Sequence, residues 1–241
     1  MTKELEKVNA TYIELVDDGT HTLNKKRVAI LNKIARAKGI KYSVHAPFAD
    51  INIASPSKTM LNASMNRLKQ SMRYAHDLNA YMWILHPGSK SGISAFYPGA
   101  DWQQNIQSIR ELFLYASDLG LRMAMENLPE KYQFLMKTPR DFIRFYNQTG
   151  LNGIGIVLDT GHANLEGQIQ SFLREIPNKI THVHISDNNG QTDEHLGLGY
   201  GSIDWEQFVK TLKEIGFSGT VLTESVFNAE ETLQTLKELF G

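Results

Sequence analysis

Residues Ile180 to Gly201 have the sequence ITHVHISDNNGQTDEHLGLGYG, and the rest of the chain can be interpreted around this stretch. It begins with the alternation of a β-strand, so that His182 and His184 share one face while apolar side chains share the other. The polar run that follows carries Asp193 and His195. Imidazoles and carboxylates are the ligands that divalent metals use in proteins. A strand whose polar face meets water has the same pattern, so the other strands must decide between the two interpretations.

The composition is that of a globular protein without cysteine. A length of 241 residues suits one α/β domain, predicted over residues 1–241, and the hydrophobic fraction is 41%. Without cysteine, disulfides, iron–sulfur clusters and thiolate zinc sites are excluded, so any metal needs nitrogen and oxygen ligands. A formal net charge of −1 gives no overall field for gathering polyanions. Neither a signal-peptide pattern nor a membrane-length apolar run is present, so we expect a cytoplasmic protein without a membrane partner.

Seven predicted strands alternate with helices along the chain. The strands are Ala10 to Asp17, Lys41 to His45, Tyr81 to His86, Leu121 to Glu126, Ile154 to Asp159, the start of the opening stretch, and Thr220 to Glu224. Unbroken alternation predicts parallel βαβ units. The long connections follow the strand C-termini, which predicts a TIM-type (β/α) barrel with its site on the βα loops. An open doubly wound sheet, the other architecture considered, would need a glycine-rich phosphate turn where Asp17 to Thr20 (DDGT) stands.

Consecutive predicted strands end in a residue type that binds metals. The six residues are His45, His86, Glu126, Asp159, His184 and Glu224. Ionisable groups are seldom buried unless they are paired or metal-bound, so six such ends in a row predict a metal site. His162 follows Asp159 by three residues in a turn that can aim both side chains at one place, and Asp193 and His195 come from the longest loop. This donor set suits zinc, manganese, cobalt or iron better than calcium.

Seven motifs follow one another along the chain: SVHAPF (43–48), ILHPGS (84–89), MENLP (125–129), LDTGHA (158–163), VHISDN (183–188), DEHLGLGYG (193–201) and LTES (222–225). In this order they resemble the xylose isomerase-like TIM barrels, a superfamily of sugar isomerases and epimerases that also includes endonuclease IV. The family normally starts with a strand before the helix that Met1 to Asn9 resembles, and this chain lacks it. Seven strands leave either an open barrel between Ala10 to Asp17 and Thr220 to Glu224 or edges that a partner covers, and because unpaired edges are normally covered, we expect a homodimer.

The resemblance implies two alternative enzymes. The epimerase-like branch implies one divalent ion, zinc or manganese, with a small sugar or sugar phosphate as substrate. Its ligands would be Glu126, Asp159, His184 and Glu224, the two glutamates would also exchange a substrate proton, and His162 would touch a substrate oxygen. The endonuclease branch implies three zinc ions and DNA as partner. Its ligands would be His45, His86, Glu126, Asp159, His162, His184, Asp193, His195 and Glu224.

The isomerase or epimerase is the favoured hypothesis, because MENLP and SDNNG look more like those relatives and the chain is shorter than the nuclease usually is. Candidate substrate-binding residues are Glu14, Phe48, Lys90 and Tyr97, although Glu14 also suits a core ion pair and the other three suit ordinary loop positions. A metal-free binding or scaffold protein on the same barrel is the third hypothesis. It predicts missing ligands, and the set is complete.

Overall fold

The structure, a computed structural model, describes residues 10–129 and 131–241, and the helix predicted over Met1 to Asn9 lies outside them. The chain divides into two compact units, one ending at Met125 and the other running from Glu126 to Gly241. The single domain predicted over residues 1–241 stays a prediction. Within the described ranges, no helix combines the length and the apolar character needed to cross a membrane.

The first unit holds parallel strands that are neighbours in chain order. They are β1 (Tyr12–Val16), β2 (Lys41–His45), β3 (Met82–Leu85) and β4 (Met123–Glu126), whose last residue begins the second unit. The register places Glu14 opposite Ser43, whose hydroxyl donates to Glu14 Oε2 at 2.7 Å. It also places His45 opposite Ile84. The predicted parallel order is therefore confirmed for these strands.

The helices of the first unit begin and end where the capping residues indicate. They are α1 (Lys25–Lys38), α2 (Lys58–Asp77) and α3 (Ala100–Asp118). The Ser57 side chain accepts a hydrogen bond from the Met60 N–H, as an N-cap does. Gly39 ends α1 in the left-handed conformation, at φ 70°, which glycine adopts without steric cost. Leu31 of α1, Leu68 of α2 and Ile109 of α3 are fully buried, so each helix is held by the packing of its apolar face.

The second unit continues the alternation of strands and helices. Its strands are β5 (Gly155–Asp159), β6 (Ile180–Ile185) and β7 (Thr220–Thr223), and its helices are α4 (Pro139–Thr149), α5 (Thr160–Asn164), α6 (Ile169–Glu175), α7 (Trp205–Glu214) and α8 (Ala229–Phe240). Helix α4 starts at a capping box formed by Thr138 and Asp141, with Pro139 in its first turn. Its Phe142 and Phe145 are fully buried, and each contributes about 2 kcal/mol by leaving water.

An irregularity between β5 and β6 sets the register of the second unit. Ile156 lies opposite Ile180, but Val157 lies opposite His182, so Thr181 is an extra residue on β6. Gly155 faces the Thr181 side chain so closely that a Cβ atom there would collide with it. Since a one-residue slip in register changes which residues face each other, this bulge is what places Asp159 opposite His184.

Candidate active site

Glu126 ends β4 and contacts two histidines of the second unit. Its Oε1 lies 3.3 Å from His162 Nδ1, and its Oε2 lies 3.5 Å from His184 Nδ1. The Glu126 side chain is 2% exposed, so it is shielded from water. A carboxylate buried in this way needs positive or hydrogen-bonding neighbours, which the two imidazoles supply.

Asp159 ends β5 and begins the short helix α5, which the sequence analysis described only as a turn. Its Oδ1 accepts a hydrogen bond from the His162 N–H at 2.6 Å, so Asp159 is the N-cap of α5. This cap explains the Asp-x-x-His spacing, because it brings the His162 ring within 3.6 Å of Asp159 Oδ1. The second oxygen, Oδ2, is buried and has no hydrogen-bond partner in the part of the chain that the structure describes.

His184 lies on β6 between two glutamates. Its Nδ1 is 3.5 Å from Glu126 Oε2 and 3.3 Å from Glu224 Oε1. Glu224 follows β7 directly, and its N–H donates to the carbonyl of Ile185 at 2.9 Å, which fixes the start of its loop. The side chain of Glu224 is 22% exposed, in contrast to the buried Glu126. His184 Nδ1 is therefore approached by one carboxylate that is buried and by one that is partly exposed to solvent.

The cluster fits a divalent metal ion. Glu126, Asp159 and His184 each offer one ligand atom, and these atoms lie within 4.8 Å of one another. All three residues are buried, and the unpartnered Asp159 Oδ2 is the kind of atom that an ion would satisfy. Two carboxylates and one imidazole are the donor chemistry of zinc and manganese sites.

Burial and charge act in opposite directions on the pKa values here. Burial raises the pKa of Asp159, although the neighbouring His162 acts to lower it, and Glu126 adds to the increase. Burial alone would lower the pKa of His162, but Asp159, Asp193 and Glu126 together raise it well above the usual histidine value. The His162 ring is therefore held by acidic neighbours at both nitrogens, Glu126 at Nδ1 and Asp193 at Nε2.

Asp193 and His195 extend the cluster from the long loop after β6. Asp193 Oδ2 lies 3.3 Å from His162 Nε2 and 3.0 Å from His195 Nε2. Burial acts to raise the Asp193 pKa, but the hydrogen bonds from the two histidines outweigh it and leave the pKa lowered. The hydrogen bond to Asp193 is the main reason that the pKa of His195 rises to about 9. His195 has a φ of 49°, an uncommon conformation for a non-glycine residue.

Asp187, which the sequence analysis did not single out, organises this loop. It is fully buried and accepts hydrogen bonds from the N–H groups of Asn188, Gly199 and Ile203 at 2.9, 3.0 and 3.3 Å. The indole N–H of Trp205 donates to it as well, at 2.9 Å. These donors come from both ends of the loop, so the buried carboxylate closes the segment that carries Asp193 and His195. The SDN motif was the available signal, since a strand end followed by Asp-Asn is typical of a side chain that binds nearby backbone.

Asn127 is the second residue of the site that sequence reasoning did not find. Its side-chain oxygen accepts from the Asp159 N–H at 2.8 Å, and its side-chain nitrogen donates to the Asp159 carbonyl at 3.2 Å. It follows Glu126 directly, so two adjacent residues supply one carboxylate of the cluster and the hydrogen bonds that support another, Asp159. The position of Asn127 after the glutamate in MENLP was the only signal.

The remaining predicted residues lie in the first unit. His45 and His86 pack edge to face with ring centroids 4.8 Å apart, and Phe48 stacks on His86 at 5.2 Å. Glu14 is paired with the Ser43 hydroxyl, and Tyr97 lines a surface cavity of about 460 Å³ with its neighbours up to Gln103. Lys90 is exposed in the loop after β3. Seven of the nine nuclease-type ligands thus meet in the second unit, and two belong to an aromatic group in the first. They are Glu126, Asp159, His162, His184, Asp193, His195 and Glu224.

Several known proteins are similar to this chain. An uncharacterized protein of Methanocaldococcus jannaschii is 30% identical over 246 residues, covering 99% of this chain and 84% of its own. The crystal structure of a D-tagatose 3-epimerase-like protein has a TM-score of 0.91 at 28% identity, covering 98% of this chain and 91% of that one. The D-psicose 3-epimerase of Ruminiclostridium cellulolyticum is 25% identical over 206 residues, covering 80% of this chain and 66% of the epimerase.

A probable endonuclease 4 of Mycobacterium leprae is also similar, at 25% identity over 192 residues, covering 76% of this chain and 73% of the endonuclease. Both enzyme classes that the motifs implied are thus represented among the relatives. The family model described as xylose isomerase-like TIM barrel matches residues 3–239. The chain therefore belongs to the xylose isomerase-like TIM barrel family, which confirms the fold class and the family predicted from its strand-end motifs.

Proposed function

We propose that the protein is a divalent-metal-dependent sugar epimerase that inverts the carbon next to the carbonyl of a small ketose. The observation that carries the proposal is the pair of carboxylates around His184, where Glu126 Oε2 and Glu224 Oε1 lie 3.5 and 3.3 Å from the same nitrogen. The similarity to proteins named 3-epimerases supports the same reaction class.

Inversion next to a carbonyl needs two acid/base groups. One carboxylate takes the proton from C3 of the ketose, and the C–H electron pair moves into a C2–C3 double bond as the carbonyl oxygen gains negative charge. The other group, as a carboxylic acid, returns a proton to the opposite face of C3 while the carbonyl re-forms. Glu126 and Glu224 suit these two roles because they approach the same point from separate strands. A simple aldose–ketose isomerisation needs only one such group.

The other cluster residues would hold the ion and orient the substrate. Glu126, Asp159, His184 and Glu224 are the residues that would bind zinc or manganese, and a bound ion would supply Lewis-acid polarisation of the substrate carbonyl. His162 would contact a substrate oxygen through Nε2, in exchange for its 3.3 Å contact with Asp193. The complete burial of Asp159 and His184 keeps water away from these two proposed ligands.

A ketose panel tests the proposal. Protein stripped with a chelator is incubated in D₂O with free and phosphorylated ketoses, with and without added Mn²⁺, and the substrate is analysed for deuterium at C3 and for its epimer. We expect deuterium and epimer to appear together and only with the metal. Failure of every ketose to exchange at C3, with the metal bound, would contradict the proposal.

The second candidate is a trinuclear-zinc phosphodiesterase acting at abasic sites in DNA. The observation that favours it is Asp193, which lies 3.3 Å from His162 and 3.0 Å from His195 and so adds nuclease-type ligands to the cluster. Zinc clusters of this kind would generate hydroxide and neutralise the charge on the phosphate. Incubation of the zinc-loaded protein with an abasic-site duplex at low salt tests it, and an intact duplex would exclude it.

The metal-free scaffold and the homodimer also have direct tests. A scaffold would bind no divalent ion after dialysis against zinc or manganese, whereas the epimerase would keep about one ion per chain. Small-angle scattering would distinguish the predicted homodimer from a monomer.

A further inference from the structure

We infer that Asn127 is a positioning residue that holds Asp159 and His162 in the arrangement the site needs. Its side chain is fully buried and makes two hydrogen bonds to the backbone of one residue. The Asp159 N–H donates to Asn127 Oδ1 at 2.8 Å, and Asn127 Nδ2 donates to the Asp159 carbonyl at 3.2 Å. The amide therefore pairs with Asp159 as a neighbouring strand would, at the point where the Asp159 carboxylate leaves β5.

The backbone of Asn127 adds two further contacts. Its N–H donates to the carbonyl of Val157 at 3.3 Å, and its carbonyl faces His162 Nδ1 at 2.9 Å. A carbonyl oxygen only accepts, so Nδ1 of His162 carries the hydrogen in this contact. The His162 Nε2 atom is then the one directed to Asp193, at 3.3 Å. One residue thus fixes both the backbone of Asp159 and the ring orientation of His162.

Few other side chains could replace Asn127. Buried backbone N–H and C=O groups need partners, and those of Asp159 are both satisfied by one planar group that offers a donor beside an acceptor. Aspartate has the same shape but offers two acceptors, so one of its oxygens would face the Asp159 carbonyl. Alanine would remove this partner from the N–H and the carbonyl of Asp159. Buried polar groups that lose a hydrogen-bond partner destabilise the fold.

This inference rests on the proposed function for its consequence, because Asp159 and Glu126 are proposed ligands. Groups that hold ligands in place commonly change metal affinity by about 10- to 100-fold when they are removed. Asn127 itself needs no contact with the ion or the substrate. We therefore expect its loss to weaken metal binding through Asp159 rather than to remove a ligand.

The variants Asn127→Asp and Asn127→Ala test the inference. Chelator-stripped protein is titrated with Mn²⁺ alone, and free Mn²⁺ is followed by electron paramagnetic resonance. We expect both variants to bind about 10- to 100-fold more weakly than the parent protein. The matched control is Tyr146→Phe, which removes a buried hydrogen bond, 3.0 Å long, to the Ile154 carbonyl at the opposite end of β5. It should lower thermal stability similarly and leave Mn²⁺ affinity unchanged.

A second measurement does not depend on the metal. The backbone amide resonance of Asp159 in metal-free protein reports its hydrogen bond to Asn127 Oδ1, and it should shift in both Asn127 variants but not in Tyr146→Phe. Parent-like resonances together with parent-like Mn²⁺ affinity would overturn the inference. Neither measurement uses a sugar, so both test the role of Asn127 independently of the reaction. Failure to epimerise any ketose would refute the proposed function alone. If Asn127→Asp does not fold, Asn127→Ala provides the same comparison.

Discussion

The histidines at the strand ends of the two units have different neighbours. In the first unit, His45 and His86 pack as aromatic rings, edge to face at 4.8 Å, and Phe48 stacks on His86. In the second unit, His162 and His184 each lie within 3.3 Å of a carboxylate oxygen. His45 and His86 thus present packed aromatic rings, and His162 and His184 take part in a charged cluster.

The two enzyme hypotheses differ in which of these histidines they need as ligands. The one-ion epimerase takes all its proposed ligands from the second unit, where Glu126, Asp159, His184 and Glu224 are close together. The three-zinc nuclease also needs His45 and His86 of the first unit as ligands. The proposed epimerase would need only the ligands of the second unit, and four experiments test whether that is so.

The largest effect is expected from Glu224→Gln. Glutamine keeps the shape of the side chain but cannot take or return a proton, so deuterium exchange at C3 of the substrate should fall by about 10³-fold. Mass spectrometry of the ketose after incubation in D₂O measures this. Glu175→Gln, at an exposed position at the end of α6, is the control and should exchange like the parent protein. Exchange retained in Glu224→Gln would remove Glu224 from the acid/base pair.

A smaller loss is expected when Asp193 and His195 are both replaced by alanine. In the epimerase, these residues only support His162, so kcat should fall by about tenfold and the protein should still bind one metal ion. In the nuclease they are ligands, so their removal would lower the metal content and abolish cleavage. Elemental analysis alongside both assays distinguishes the outcomes. A complete loss of epimerisation would show that Asp193 or His195 is needed for the reaction itself and not only to support His162.

Much of this site could be predicted from the sequence, because strand ends in a parallel α/β fold are marked by simple signals. Gly39 and Ser57 mark helix ends, and the residue after each apolar run falls at the C-terminal end of a strand. His45, Glu126 and Asp159 are found as predicted at the ends of their strands, and His86 and Glu224 lie one residue beyond theirs. Periodicity alone was sufficient for these positions, since each depends on one strand and its own loop.

The parts that could not be predicted depend on contacts between segments. The bulge at Thr181 decides that Asp159 faces His184 rather than Val183, and no local pattern reveals a bulge of this kind. Asp187 and Asn127 are polar residues next to conspicuous ones, and their importance comes from backbone groups more than ten residues away, such as Gly199 and Asp159. A sequence shows which residues can bind backbone, but it does not show which backbone will be there.

A still smaller effect is expected from His86→Phe. Phenylalanine keeps an aromatic ring against His45 and Phe48, so we expect a loss of folding stability of about 1 kcal/mol, the usual size for a point substitution. If the first unit supplies only packing, the epimerase activity and the metal content should stay close to those of the parent protein. The matched comparison is His184→Phe, which removes a proposed ligand and should abolish metal binding. Loss of metal in His86→Phe would instead support the three-zinc hypothesis.

The smallest expected effect is a pH dependence of stability in the metal-free protein, caused by Asp193 and His195. The pKa of His195 is raised to about 9, so its ionic contact stabilises the fold fully below the usual histidine value of 6.5 and loses that contribution as the pH rises through about 9. The pKa of Asp193 is lowered, so its contribution is present above the usual value of 3.8 and is lost as the pH falls below it.

Melting temperatures of chelator-stripped protein between pH 5 and pH 10 measure the upper part of this dependence. The parent protein should lose stability between about pH 6.5 and pH 9 relative to His195→Gln, because glutamine has no charge to lose. His21→Gln, at an exposed histidine of the first unit, is the matched control. Parallel curves for the parent and His195→Gln would mean that the contact with Asp193 contributes nothing to the fold, and the loop would then be held by Asp187 and its hydrogen bonds to Gly199 and Trp205.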